Sequence, residues 1–490
     1  LKKRSLWLSS AAALLVAAVL AGCGGTFYFD GRVLPPSGLT NRVMIAIQNP
    51  SAFTHGALQF VDGYYDIRSS YNYKIPTFAI AGYSGNLPLT IQNMPEEQLA
   101  AVYAVGDGSL ALISYAQEKS AGSVQGLNGF SSSVFTTRNQ AFVFAASQQL
   151  HVATVVDQRN NRAYSLSLPG VYRVSVNPGG TAALFFVQNS DYAYYPLKLT
   201  AAQTANFAGG PSHWPSAAVD CEPQNVPGFC LMQAQSPDSL DSTGMWTGEP
   251  LTFDRPVKAV WSADGSSAYV LSCGPECGGT ASAYSVLPVA PLIFLDSQGS
   301  GVLPTAAQLP SLTFPIPGGA SNALVVTNTM YVVGQAQVSF GGNQYWGGNL
   351  TTVNLPNNSV SAPVSISDGV PDGPSRIIVA DDNTLWIGMT KCNNGIRAND
   401  PADYPSGYGC LTMYNTSTQK VVMLESYIGD LTGIAAVTNL HKIYVAQGGQ
   451  VYIYNTTDGS QRNNQYVTVT GTAIDVAYMD AITDTDNTVY

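Results

Sequence analysis

The strongest constraint on the fold is a repeat. Residues Val174–Phe186 (VSVNPGGTAALFF) and Ala259–Leu271 (AVWSADGSSAYVL) match almost without gaps. Each copy reads as a short apolar strand, a tight turn built on Asn, Asp, Pro or Gly, and a second short strand. Looser copies run over Ser133–Ala145, Asn322–Val333 and Ser375–Gly388. A third strand recurs at Asn349–Asn354 and Leu411–Asn415. Near the C-terminus four strands follow one another, at Thr432–Val437, Lys442–Ala446, Gln450–Asn455 and Tyr466–Thr470. A four-stranded unit returning every 40 to 60 residues or so cannot bury its faces alone, and radial stacking into a single all-β propeller is the solution such repeats adopt.

Candidate inner strands begin near Leu87, Ser131, Val171, Val257, Ser321, Pro374, Thr432 and Thr472, which favours eight blades, with seven the alternative if one weak copy is an insertion. The last candidate, Thr472–Tyr478, has too little chain after it to complete a blade. Conversely, the segments Arg42–Gln48, Ala57–Asp62 and Pro76–Ala81 lack an inner strand before them. The C-terminal strand is therefore expected to complete the N-terminal blade, pairing the two ends of the chain and removing an open sheet edge.

Composition agrees. Charged residues make up 11% of the chain, against about a quarter in ordinary globular proteins. Val, Tyr, Thr, Gly and Asn abound, which suits strands and tight turns rather than long helices. The formal charge is −10, so the clustered cations that nucleic-acid binding needs are lacking, and nucleic acid is excluded as a partner.

The N-terminus carries a targeting signal. Leu1-Lys2-Lys3-Arg4 precedes an apolar run from Leu6 to Leu20 that is broken only at Ser9 and Ser10. This is the layout of a secretory signal peptide over residues 1–22, and the run falls short of the ~20 apolar residues a membrane span needs. Leu20-Ala21-Gly22-Cys23 closely resembles the lipobox of bacterial lipoproteins. The resemblance implies that Cys23 becomes the mature N-terminus and carries diacylglycerol and fatty acyl groups, enough chains for stable membrane anchoring. Gly24-Gly25, with no Asp after the cysteine, implies by the same resemblance the outer membrane of a bacterial cell envelope. Residues 23–41 then form a tether and 42–490 the propeller domain, with an irregular insertion expected at about 206–250. No cofactor beyond the lipid is expected.

Of seven cysteines, six remain once Cys23 is set aside. An even number in an exported chain favours disulfides. Of the fifteen formal pairings, proximity favours Cys221 with Cys230, Cys273 with Cys277, and Cys392 with Cys410, free thiols being the alternative.

The turns Asn177-Pro178-Gly179-Gly180 and Ser262-Ala263-Asp264-Gly265, with the Tyr-Val pairs at Tyr269, Tyr331 and Tyr444, resemble the YVTN or lactonase-like group of bacterial propellers. The resemblance implies the fold. Lactonase-type members use acids and amides converging in the central channel, sometimes around a metal, but no position here matches such a set. The chain also lacks a Gly-x-Ser-x-Gly elbow, a phosphate loop, Gly-x-Gly-x-x-Gly and His-Glu-x-x-His. Its four histidines have no ligand spacing, and Glu96-Glu97 and Asp381-Asp382 read as solvated turn residues. Asp480, Asp484 and Asp486 are spaced loosely like calcium ligands, without the Gly and terminal Glu of an EF-hand, so no metal site is assigned.

In a four-stranded meander the links from second to third strand share one face with the links between blades. Three such links are predicted to be long loops, Cys273–Thr280, Gln335–Gly348 and Lys391–Gly409. Long loops on a rigid scaffold are where binding resides. Phe340, Tyr345, Trp346, Arg397, Tyr404 and Tyr408 are the candidate binding-face residues, suited to a protein, peptide or glycan partner. Two readings of function follow. The first is a lipid-anchored, non-catalytic binding or scaffolding module, and the alternative is a lactonase-like hydrolase working in the central channel.

Overall fold

The computed structural model describes residues 32–53, 55–68, 78–127, 130–223, 228–237, 239–240, 246–295, 301–340, 343–368, 374–389, 411–425 and 429–484. It is an eight-bladed β-propeller. The inner strands are Thr472–Tyr478 in blade 1, Pro88–Met94 in blade 2, Ser133–Thr136 in blade 3 and Val171–Val176 in blade 4. They continue with Pro256–Trp261 in blade 5, Asn322–Val326 in blade 6, Pro374–Ala380 in blade 7 and Leu431–Val437 in blade 8. All eight inner strands fall where the repeat places them.

Blade 1 is built from both ends of the chain. Thr472–Tyr478 pairs antiparallel with Arg42–Gln48, which pairs with Gly56–Asp62. Phe78–Ile80 adds an outer edge through Phe60 N–H to the Phe78 carbonyl (3.1 Å) and Ile80 N–H to the Leu58 carbonyl (3.0 Å). The seam holds a buried ion cluster. The Arg42 guanidinium is 2.7 Å from Asp480 and 2.9 Å from Glu118, and all three side chains are under a tenth exposed. Glu118 also accepts from the Ser37 N–H (2.9 Å), while Arg32 donates to the carbonyls of Pro95 (3.1 Å) and Ala481 (2.8 Å). The C-terminal part of the expected tether, 32–41, is thus docked onto the ring. It lies on the face that carries the turns from first to second strand.

Within the insertion expected at about 206–250, described residues add two strands to blade 4. Phe229–Gln233 pairs with the third strand of blade 4, Ala193–Lys198, and Ala218–Glu222 pairs outside it, giving that blade five strands. The connection includes a helix of about two turns, Ala201–Phe207, opened by a Thr200/Gln203 capping box. Cys221 and Cys230 face each other across the outer pair and form a disulfide. The Gln335–Gly348 link differs from expectation. It is a continuous hairpin, Thr329–Phe340 against Asn343–Asn354, twelve residues on each side, and Val364–Asp368 pairs along its base. Alternating side chains and uninterrupted backbone pairing carry the sheet straight through residues whose Gln, Ser and Gly content reads as loop.

The core consists of apolar layers between successive blades. Between blades 3 and 4, Phe142, Phe144, Phe185 and Phe229 meet in edge-on contacts and are essentially fully buried. Each such ring contributes a few kcal/mol of burial.

The wall of the central channel is stitched by one repeated strand position. Thr90, Arg173, Lys258, Arg376, Gly433 and Asp475 each follow a one-residue bulge on the inner strand of their blade. Ser133 and Asn322 hold the same place in blades 3 and 6, where the residue before each bonds to the same partner carbonyl. From this position side chains reach the next inner strand. Asp475 Oδ2 accepts from Ile91 N–H (2.8 Å), Ser133 Oγ from Val174 N–H (3.2 Å), and Asn322 Nδ2 donates to the Ser375 carbonyl (3.0 Å).

Candidate functional site

A groove of about 700 Å³ runs between the outer parts of blades 5 and 6 and reaches the face bearing the second-to-third links. One side comes from blade 5, where Ser267–Ser272 leads into a short turn, Gly274–Cys277, bridged by the Cys273–Cys277 disulfide. Gly274 is required there: its φ is +62° and a Cβ would stand 2.3 Å from the Ala281 and Ser282 backbone. Asp254 braces the same link, accepting from the N–H groups of Thr280 (2.9 Å) and Ala281 (2.7 Å). Partial burial opposes ionisation of Asp254, but the bonds from Thr280 and Ala281 prevail and hold its pKa below the usual carboxylate value.

The other side is the base of the blade 6 hairpin, where Gln335 pairs with Gly348 and Gln337 with Trp346. The two blades are tied together. Glu276, inside the disulfide turn, accepts from Gln335 N–H (2.9 Å) and Nε2 (3.1 Å). Burial raises the Glu276 pKa, and the Gln335 bonds offset part of that. The floor is backbone, because Gly319 (φ +87°) and Gly334 approach so closely that a Cβ on either would lie 2.4 Å from the other strand.

The lining combines apolar groups, Phe314, Pro315, Ile316, Pro317, Trp346 and Val360, with the uncharged polar groups of Ser282, Gln335, Gln337, Asn358 and Ser361. Tyr284 stacks on Phe314 with centroids 5.1 Å apart and donates to Asn358 Oδ1 (2.9 Å). Burial pushes the Tyr284 pKa up to about 12, so it stays a neutral donor and fixes the Asn358 amide. Among the described residues none of the lining side chains is ionisable. The groove can therefore bind by shape, apolar contact and neutral hydrogen bonds.

Of the expected binding-face residues, Trp346 is half-buried in this groove. Phe340 and Tyr345 belong to the same hairpin, opposite Asn343 and Val338, and only their backbone is described. Arg397, Tyr404, Tyr408 and the Cys392/Cys410 pair lie outside the described residues, as do Cys23 and Asp486. The groove's blade 5 wall, from Phe314 to Pro317, was not singled out by sequence because it has neither periodicity nor a motif.

Two of the loosely spaced aspartates at the C-terminus form ion pairs. Asp480 binds Arg42, and Asp484 binds Arg138 at 2.8 Å. Two residues read as solvated and a histidine read as ordinary do come together. His441 Nδ1 lies 2.6 Å from Asp381 and 2.9 Å from Asp382, and Thr456 donates to Asp382 (2.8 Å). Neighbouring blades bring their first-to-second turns together here, a proximity no linear spacing reveals. The ligand atoms of the three lie within 4.8 Å of one another, a geometry that serves an ion pair or a cation. The Asp382 hydrogen bond and then the Asp381 charge raise the His441 pKa above 6.5. The stabilisation from this pair is fully present below pH 6.5 and is lost as the pH rises through the raised value. An NMR titration should place His441 above 6.5, and Asp382→Asn should bring it down; equal values in both proteins would contradict the pairing.

In the channel wall, the single acid at the repeated position is Asp475. It is fully buried, and its two oxygens accept from the backbone N–H groups of Ile91 and Val476. The acid and amide set of a hydrolytic site is not assembled at that level among the described residues.

No protein-family model and no curated protein sequence matches the chain. Among solved structures it is similar to a Bacteroides fragilis protein provisionally assigned as a 6-phosphogluconolactonase, at 9% identity and a TM-score of 0.47 over 90% of this chain and 98% of that one. It is also similar to the periplasmic gluconolactonase of Pseudomonas aeruginosa, at 11% identity and a TM-score of 0.45 over 89% and 98% of the two chains. A dihydro-haem d1 dehydrogenase gives 9% identity and a TM-score of 0.48 over 90% of this chain and 75% of that one. At such identities the likeness is one of fold.

Proposed function

We propose that the protein is a lipid-anchored, non-catalytic binding module of a bacterial cell envelope, and that the groove between blades 5 and 6 holds an extended, uncharged segment of a protein partner. The observation that carries this reading is the groove's lining: aromatic, prolyl and amide side chains, with no ionisable group among the described residues. Its volume lies within the ~300–1,000 Å³ of ordinary ligand pockets. Pro315 and Pro317 have no N–H to offer, which disfavours strand addition along that edge and favours recognition through side chains. The anchor rests on the Leu20-Ala21-Gly22-Cys23 signal. Eight residues lie between Cys23 and the docked Arg32, a reach of at most about 30 Å. Arg32 sits on the face opposite the second-to-third links, so the groove's mouth is turned away from the membrane.

Trp346→Ala and Phe314→Ala should each weaken partner binding tenfold or more, as loss of a buried aromatic anchor does. Because none of the described lining residues is charged, the affinity should change little between low and high salt. Cys23→Ser should move the protein into the soluble fraction with groove binding intact. A steep salt dependence, or binding indifferent to both aromatic substitutions, would assign the partner to another surface.

A further inference from the structure

Three cations stand at the repeated channel-wall position of this acidic protein. Arg173, Lys258 and Arg376 come from blades 4, 5 and 7, at the place that other blades fill with Thr, Ser, Asn, Gly or Asp. The residues between them form a continuous chain of contacts. Arg173 Nη1 reaches the carbonyls of Val257 (3.4 Å) and Ser321 (3.5 Å), Lys258 Nζ donates to Asn322 Oδ1 (2.7 Å), and Asn322 Nδ2 donates to the Ser375 carbonyl (3.0 Å), next to Arg376. Arg376 Nε donates to the Thr432 carbonyl (2.9 Å).

Lys258 is 3% exposed, and among the described residues its ammonium meets one amide oxygen and no carboxylate. Burial first, then the charges of Arg173 and Arg376, push its pKa well below the ordinary lysine value. Among the described residues Arg173 likewise contacts carbonyls and the Tyr172 ring but no acid. Buried charges in proteins are paired or neutralised, and like charges gathered on one wall repel. The stitching itself does not require charge, since Ser133 and Asn322 do the same work in neighbouring blades. A bound anion would supply the counter-charge that the described residues do not give Lys258 and Arg173. Arg173 and Arg376 are half-buried and keep part of their surface exposed, and guanidinium groups match the planar oxygens of carboxylates and phosphates.

We propose that the channel wall between blades 4 and 7 is an oxyanion site, in which Arg173, Lys258 and Arg376 bind a small multivalent anion through its phosphate or carboxylate oxygens. Arg173 and Arg376 make the first contacts, and Lys258, set in the wall between them, supplies the third charge. The site lies on the ring axis and is separate from the groove between blades 5 and 6.

The test uses the full chain in detergent and measures melting midpoint and calorimetric binding in inorganic phosphate and in citrate, each against sodium chloride at matched ionic strength. Phosphate or citrate should raise the midpoint above the chloride control, and the better of the two identifies the anion class. Arg173→Gln and Arg376→Gln keep an amide donor for the neighbouring carbonyls, and each should weaken anion binding about tenfold or more. Lys258→Met should raise the midpoint in anion-free buffer, because Asn322 Oδ1 still accepts from Ala323 N–H, and should remove most of the gain from the anion. The proposal is overturned if chloride does as well as both oxyanions, if the arginine variants bind like the parent, or if Lys258→Met destabilises the anion-free protein.

Discussion

Ending the chain after Gly471 should leave a protein with no cooperative melting transition. The missing segment supplies the inner strand of blade 1, and Ala473, Val476, Ala477, Tyr478 and Met479 within or beside it are all buried. Loss of Val476, Tyr478 and Met479 alone removes about 1.5–3 kcal/mol each, and the loss of Asp480 takes away a partner of the buried Arg42. That total is comparable to the whole stability of a typical domain, about 5–15 kcal/mol. Calorimetry of the truncated chain beside the parent measures it, and a midpoint within a few degrees of the parent's would mean that the ring does not depend on its C-terminal strand.

Arg42→Ala should cost about 3–5 kcal/mol in urea unfolding, the range for leaving buried charges without their partner. Two carboxylates are stranded at once, Glu118 and Asp480, under a tenth exposed and facing the vacated position. The Tyr115 carbonyl also loses its 2.7 Å donor. A triple variant, Arg42→Met with Glu118→Gln and Asp480→Asn, should recover a large part of the loss, since a buried ion cluster is replaced by neutral groups more easily than it is broken. If the single substitution cost no more than the triple, the cluster would not be what secures the seam.

Both effects rest on ring closure, which was legible in the sequence for a simple reason. A blade's first two strands and their turn are contiguous, so Val174–Phe186 and Ala259–Leu271 announce themselves, and an unpaired strand count at each end leaves one way to close the ring. Outer strands were less legible. In blade 4 the strand that pairs inward, Phe229–Gln233, comes after the one that lies outside it, so the order in sequence is the reverse of the order in space. The blade 6 hairpin was hidden by composition, because Gln, Ser and Gly supply too little apolar alternation to read as strand even where every backbone pair is formed.

The groove was half visible. Trp346 stood out as a ring in a link, but Phe314, Ile316 and Asn358 acquire their role only when two blades meet. The same holds for His441 with Asp381 and Asp382, whose turns are adjacent in space and far apart in sequence. The channel cations did leave a mark. Arg173 and Lys258 each precede the first residue of the best-matched repeat by one position, and aligning the copies one residue further upstream brings them into register.

The claim that matters most for function is that the groove between blades 5 and 6 holds the partner. A photoreactive amino acid placed at Gln337 or Ser361, in the full-length protein in its native membrane, tests it against the same probe at Asp264 on the opposite face. The account expects one discrete protein crosslink from the groove positions, absent from Asp264 and lost when Trp346→Ala is added. A crosslink pattern that is the same from both faces, or that survives Trp346→Ala, would contradict it.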